Sequence, residues 1–523
     1  MIAADARRHR LAKHDPTTRL TPAERKFVAE LNATKTRDEV LTDLKNGLQL
    51  AVEVELATIP IYLFTYYSIV RDGASGEAID PAQAFANKAG GVIMSVAVEE
   101  MLHMSLSANV LFAMGQAPQL YGNAPASYPA LLPGHKRAGP PGPNGDTSEL
   151  IPLARLTFDQ LWHFLQIEYP EVLDAPPQVS DWDTIGQLYS YVRCLMRTKW
   201  LTDADFQRGA AAAAIQPYNY SPNNVDSLYP TGKFDPWKPA PPTPAPAWSD
   251  GYASAADAAR FTNTADSHAG RSELLCIRSV EDAADAIDTI CDQGEGYAVP
   301  NLGAGSYDDP SKGEQSHYVK FLWLQAQFAG YDKVRERLSD EPPAPRQQLP
   351  VITQAALDEA KLVVAFADNP TSASYPEAYR PIADFSSALF QYMLIMIETI
   401  YRVPPEGQKL FFNEGLHRSM IWVMDKYIRT IREIPLGDGT FMAPLFENIE
   451  LGAQEISFAT LTQIGAAAVT AAQALSAQLP VGDGLAGVYT DVIWYIAVAT
   501  GQPATVETGS RPLVDVGPYW RHP

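Results

Sequence analysis

The stretch GGVIMSVAVEEMLHMSLSANVLFAMG, residues 90–115, is apolar enough for a buried helix, yet it carries Glu99, Glu100 and His103 at its centre. At 3.6 residues per turn, Glu100 and His103 fall on the face of Ile93, Val96, Ala97 and Ser107, so this E-x-x-H pair belongs to the core stripe. Glu99, four residues before His103, competes for the same partner. E-x-x-H by itself is a common surface pairing. Inside an apolar helix it places a carboxylate where unpartnered charge costs several kcal/mol, and side chains three apart can share one cation.

Upstream, AVEVELATIPIYLFTYY (51–67) raises the same question. Leu44, Leu48, Ala51, Glu55, Ile59, Tyr62 and Tyr66 recur at steps of three and four, which puts Glu55 in the core stripe and Glu53 on another face. Read alone, Glu55 is a hydrogen-bonded core acid. Beside an E-x-x-H helix it is half of a dimetal site, whose other half should lie downstream.

Two hairpins qualify. In AADAIDTICDQGEGY (283–297), Glu295 extends the stripe of Ile287 and Cys291, and in DDPSKGEQSHYVKFLWLQAQF (308–328), Glu314 and His317 repeat E-x-x-H. Gly294 and Gly296 bracket Glu295, so its plain alternative is a solvated acid at a helix end. In MLIMIETIYRVPPEGQKLFFNEGLHRSM (393–420), Glu398 precedes a short loop and Glu414 with His417 follow it. Ligands on antiparallel neighbours must sit at equal height above their connecting loop. Glu295 and Glu314, which flank the loop GAGSYDDPSK, match in height; the later hairpin has the same order of carboxylate, short loop and E-x-x-H, and spacing alone does not choose between the two.

The rest of the chain narrows the class. Its 523 residues are 46% hydrophobic and carry a formal charge of −21, with a pI near 4.8. Such a field repels phosphate backbones and anionic lipid, so neither nucleic acid nor membrane is expected as a partner. Cys194, Cys276 and Cys291 leave one thiol over under any pairing, which favours a reducing compartment and a cytoplasmic location. No uninterrupted apolar run reaches the roughly 18 residues of a membrane span.

Helical periodicity predicts helices near 38–70, 82–114, 157–168, 183–200, 280–295, 312–329, 380–402, 408–433, 447–478 and 485–500, with no alternating strand pattern. Thr157 and Gln160 have capping-box spacing. Residues 128–146 and 229–248 are too rich in proline and glycine for helix. His163, between Trp162 and Phe164, reads as a core histidine. Glu168 and Glu171 read as solvated acids.

Four motifs carry a resemblance. E-x-E-x-A-T-I-P-x-Y (Glu53 to Tyr62), V-E-E-M-L-H-M-x-L-x-A-N (Val98 to Asn109), D-Q-G-E-G (Asp292 to Gly296) and S-H-Y-x-x-F (Ser316 to Phe321) resemble the ferritin-like domain of the iminophenyl-pyruvate dimer synthase family, known from violacein and rebeccamycin pigment biosynthesis. The likeness covers about residues 40 to 330, and F-M-A-P-L-F-E (441–447) extends it weakly. The cores around Glu55, Glu100 and His103 also resemble bacterioferritin, in which the matching positions are iron ligands. This resemblance implies metal ligation by Glu55, Glu100, His103, Glu295, Glu314 and His317 over the later hairpin. The chain departs from the pattern at Pro60, which interrupts the first helix, and in a long insertion after the second.

The expected fold is an all-α, ferritin-like four-helix bundle with proline-rich insertions and extra C-terminal helices. Residues 1–37 form an N-terminal arm, 38–330 the dimetal bundle with an insertion over about 115–279, and 331–523 a C-terminal helical extension. Carboxylate and imidazole ligands suit two iron ions, or manganese, and open coordination positions admit dioxygen. A noncovalent haem leaves no sequence trace and stays compatible. The expected function is a dimetal-carboxylate oxidoreductase that activates dioxygen for oxidation or oxidative coupling of a small metabolite, with Tyr62 as a ligand support or radical carrier. The alternative is a non-catalytic iron-binding or storage-type protein, or a partner subunit. Expected partners are a small-molecule substrate and dioxygen, and a homo-oligomer or a pathway partner enzyme is compatible with the sequence.

Overall fold

Two threonine caps start the first two helices described. Thr21 and Glu24 close a reciprocal capping box ahead of α1 (Pro22–Thr34), and Thr36 and Glu39 do the same ahead of α2 (Arg37–Ser68). Asp80 caps α3 (Pro81–Ala113), whose first residue is a proline that needs no amide partner there. The computed structural model describes residues 20–71, 80–136, 150–170, 175–206, 277–294, 316–337, 351–403, 411, 419–508 and 512–521. Among these there is no strand, only isolated bridges, and the remaining α-helices are α4 (Phe158–Ile167), α5 (Ile185–Met196), α6 (Val280–Gln293), α7 (His317–Ala329), α8 (Tyr331–Arg337), α9 (Gln354–Glu359), α10 (Arg380–Ile400), α11 (Asp425–Ile431), α12 (Ser457–Ser476), α13 (Leu485–Thr500) and α14 (Gly517–Trp520).

Contrary to expectation, α2 runs unbroken through Pro60. The proline removes one backbone donor and crowds the carbonyl four residues back. One carbonyl beside it finds another donor: Tyr128 OH donates to Ala57 O at 2.9 Å. The capping box expected at Thr157 is half formed. Thr157 Oγ1 accepts from the Gln160 amide at 3.0 Å, while the Gln160 side chain donates to Pro152 O at 3.1 Å. The helix expected from 447 starts at Ser457, because Glu447 N donates to Ser387 Oγ and Asn448 holds Gln391, which keeps that strip extended against α10.

Helices α2 and α3 pack side by side along their length and form two bundle positions. Each of the other two positions is filled by two short helices. Helix α4 starts beside the end of α2, where Leu156 N donates to Ser68 Oγ at 2.9 Å, and packs on α7; α5 continues in the same direction toward the start of α2, which it packs against. In the opposite sense, α6 starts near Arg197 and lies on α3 and α5, and α7 carries on until Phe328 stacks on Phe85 at 5.5 Å. The third position therefore runs parallel to α3 and the fourth antiparallel to it, with one long crossover, as in ferritin-like bundles. That crossover follows α2: Gln119 O accepts from Gln49, Tyr128 reaches Ala57, and Ala154 O accepts from Thr65 at 2.8 Å. Helices α4 and α5 lie within the stretch read from sequence as an insertion, yet both belong to the bundle.

Beyond the bundle, α10 packs on α12 and α12 on α13. Arg432 Nη1 ties this layer to the Tyr67 and Ile69 carbonyls at 2.8 and 3.0 Å. By length and composition, two described helices are apolar enough to cross a membrane: α2, whose apolar window is 83% buried, and α12, at 33%.

A buried ion network fixes one end of the bundle. Glu24 Oε1 accepts from Ser190 Oγ at 2.7 Å and from the Arg193 guanidinium, whose other arm lies 3.4 Å from Asp288 Oδ1. This joins α1, α5 and α6. Loss of Glu24 leaves the buried Arg193 with Asp288, at 3.4 Å, so Glu24→Ala should cost about 3 kcal/mol, the low end for a broken buried pair. A denaturant midpoint lowered at unchanged slope is the expected reading. A shift worth less than about 1 kcal/mol, the upper range of exposed pairs, would contradict it.

Candidate metal centre

At mid-height, where α4 ends and α5 begins and where α6 ends and α7 begins, buried carboxylates and imidazoles converge. Glu100 stands at the middle. Its Oε1 lies 3.6 Å from His103 Nδ1 and 3.0 Å from His317 Nδ1. Each imidazole has a second carboxylate: Glu55 Oε2 lies 3.6 Å from His103 Nδ1, and Glu168 Oε1 lies 3.4 Å from His317 Nδ1. The two rings stack with centroids 5.3 Å apart. Ligand atoms of Glu100, His103 and His317 all lie within 4.8 Å of one another.

Further polar groups orient these side chains. Tyr189 OH donates to Glu55 Oε1, Tyr62 OH to Glu168 Oε1 at 2.5 Å, and Thr58 Oγ1 to Glu100 Oε2 at 2.6 Å. The Tyr62 ring also packs on Phe164 and Phe321, at 4.8 and 5.5 Å. The outer ring nitrogens are anchored as well. His103 Nε2 pairs with Gln293 Oε1 at 3.0 Å and His317 Nε2 with Glu99 Oε2 at 3.0 Å, an oxygen that also accepts from Lys320. With Nε2 engaged outward, Nδ1 of each ring faces the carboxylates. This is how metal-binding histidines are usually held.

The arrangement fits a cation. His317 Nδ1 is buried and, among the described residues, has no hydrogen-bond partner, since Glu100 Oε1 is close but out of line. A divalent first-row ion is the acceptor of lone pairs that such imidazole and carboxylate donors suit. Electrostatics agree. Burial, and then the charge of Glu100, hold the Glu55 carboxyl up at about 8. Burial also opposes ionisation of Glu100, but the two imidazoles beside it outweigh this and hold the carboxyl well below the usual range. Burial pulls His103 down, yet Glu100 and Glu55 carry it to about 10. His317 is likewise carried well above its ordinary value, against burial, by Glu168, Glu100 and Glu99. Without an ion, the imidazoles hold protons in its place.

Among the described residues, Glu55, Glu100, His103 and Glu168 border a small pocket whose other walls include Ile185, Gly186 and Tyr189 of α5 and Ile290, Cys291 and Gly294 at the end of α6.

Of the residues expected from sequence, Glu55, Glu100, His103 and His317 come together here, and Tyr62 lies beside them. Glu295 and Glu314 lie outside the described residues, as do Glu414 and His417. Glu398 is engaged elsewhere: its Oε1 accepts from the Leu120 and Tyr121 amides at 2.6 and 2.8 Å and pins α10 to the crossover. Glu53, on the other face of α2, accepts from Gln49. Glu168 is the main correction. Read as solvated, it is 3% exposed and part of the cluster. It continues the stripe of Leu161, Phe164 and Leu165, the same signal that singled out Glu55.

Comparison with curated proteins gives no match. Among solved structures, a ferritin-like protein from Caulobacter vibrioides aligns over 72% of this chain and 93% of its own, at 17% identity and a TM-score of 0.38. The ferritin-like family model matches residues 48–231 and 248–326, just over half of the chain, and takes in most of α2, all of α3 to α6 and most of α7. A match of that extent shows that the chain belongs to the ferritin-like family.

Proposed function

We propose that the protein is a dimetal-carboxylate oxidoreductase acting on a small metabolite with dioxygen. The observation that carries this reading is the near-symmetric donor set: Glu100 common to both imidazoles, Glu55 with His103, and Glu168 with His317, all bordering or adjoining one pocket. Glu55, Glu100 and His103 would hold one ion and Glu100, Glu168 and His317 the other. Two iron or manganese ions, when bound, supply the electrons that dioxygen needs. The chain's own residues do the rest. Tyr62 and Tyr189 stay protonated, because burial and then the neighbouring carboxylates raise both hydroxyls well above their usual range, and so remain donors that fix Glu168 and Glu55. Ile185 and Ile290 line the pocket with apolar surface that excludes water from a bound substrate. The motif resemblance favours oxidative coupling of the iminophenyl-pyruvate type within this class.

The test separates an enzyme from a store. Apoprotein loaded anaerobically with excess ferrous iron and then exposed to dioxygen should oxidise about two irons per chain and stop, as a bundle with one dimetal site requires. Continued uptake of iron far beyond two per chain, without organic substrate, would replace the enzymatic reading with storage.

A further inference from the structure

The inner donors are close to symmetric, but what stands behind the two imidazoles is not. His103 Nε2 meets the neutral amide oxygen of Gln293 at 3.0 Å. His317 Nε2 meets a carboxylate oxygen of Glu99 at 3.0 Å, and that oxygen also takes the Lys320 ammonium. Both outer partners are buried, Gln293 and Glu99 each at 1% exposure, so water does not level the difference. A carboxylate behind an imidazole strengthens it as a metal donor more than an amide does, because the anionic acceptor pulls harder on the Nε2 proton and leaves more electron density at Nδ1. The lysine neutralises the added buried charge, which lets a carboxylate stand there without an unpaired ion in the core.

We propose that the two metal positions are inequivalent: the position at His317 takes the first divalent ion and holds it more tightly, with Glu99 and Lys320 as its positioning residues, and the position at His103 fills second. This rests on the dimetal reading but not on any oxygen chemistry. Partial loading then has a defined product, a chain with one ion beside Glu168 and His317. An enzyme that needs both ions is inactive in that state, so the weaker position at His103 sets the metal concentration at which it switches on.

Cobalt(II) is the probe, titrated anaerobically into full-length apoprotein and followed by calorimetry and by the visible absorbance of the bound ion. Two steps separated by about tenfold or more are expected, the scale on which outer partners act on affinity. His103→Ala should keep the tight step and lose the weak one, and His317→Ala the reverse. Glu99→Gln, which gives His317 the same kind of partner as His103, should weaken the first step by about 10–100-fold and merge the two. If that variant fails to fold, the two histidine variants still decide the order. A single step for two equal ions in the wild type, a tight step that survives His317→Ala, or a folded Glu99→Gln with unchanged separation would each overturn the proposal while leaving a dimetal site in place. Binding of only one ion to the wild type would overturn the dimetal reading together with it.

Discussion

Glu100→Ala should empty both metal positions at once. Among the described residues its Oε1 is the one oxygen near Nδ1 of both histidines, at 3.6 and 3.0 Å, and Thr58 holds its other oxygen. His103→Ala or His317→Ala removes one imidazole and should leave one ion, whereas loss of Glu100 removes the donor common to both. Metal analysis after anaerobic iron loading should fall from about two ions per chain to nearly none, a larger loss than any outer partner causes. The same change strands two buried imidazoles, so circular dichroism has to confirm the fold, and Glu100→Gln serves as the isosteric companion. An ion retained at full occupancy in a folded Glu100→Ala protein would show that the histidines and flanking carboxylates suffice without it.

Metal affinity should rise steeply with pH while the apoprotein grows less stable. Near pH 7 the empty centre keeps protons on Glu55, held at about 8, on His103, held at about 10, and on His317, held higher than its ordinary value. Divalent ions need the unprotonated ligands, so loading releases protons, those of Glu55 and His103 at least, and for these two the overall constant gains up to about a hundredfold per pH unit below 8. For folding the sign is opposite. Groups whose pKa is raised by folding bind more protons in the native state, so their contribution is complete below the unfolded value and is lost as pH climbs through the folded one. For Glu55 that window runs from 4.5 to about 8, and for His103 from 6.5 to about 10. Glu99 and Glu100, both held below the usual carboxylate range, act on the acid side and lose their contribution as pH falls. Apoprotein melting temperatures between pH 6.5 and 10, with cobalt(II) affinities between 6.5 and 8, check both trends. A pH-independent affinity would mean that the empty centre carries no such protons.

Much of the α2–α3 half of the centre was legible in the sequence because its ligands sit within long helices whose apolar period exposes any polar intruder. Glu55, Glu100 and His103 are such intruders. His317 was legible for a different reason, through a repeated E-x-x-H, since it opens α7 and has no preceding turn. Glu168 was missed because α4 is only ten residues long and Tyr169-Pro170 follows it, so its stripe is too short to stand out. Its partners Tyr62 and His317 lie 106 and 149 positions away in the chain. Gln293 and Lys320 were illegible in principle: their roles depend on which imidazole nitrogen each one meets. The segments that build the bundle were anticipated as helices, but α4 and α5 were read as part of an insertion, and their pairing with α7 and α2 is a long-range outcome that periodicity does not encode.

The division of the third and fourth bundle positions into short helices has a mechanical consequence. Glu55, Glu100 and His103 stand on α2 and α3, two helices of 32 and 33 residues that are packed along their length, so this side of the centre is stiff. Glu168, Gln293 and His317 each occupy the end of a helix of 10 to 14 residues, where a small rigid displacement breaks few backbone hydrogen bonds. The centre thus has one fixed jaw and one that can travel. A change in the separation of the two ions, or in the bulk of what occupies the pocket, is taken up on the side of Glu168 and His317, and hydrogen exchange on metal loading should slow most at the ends of α4, α6 and α7 and little in the middle of α2 and α3.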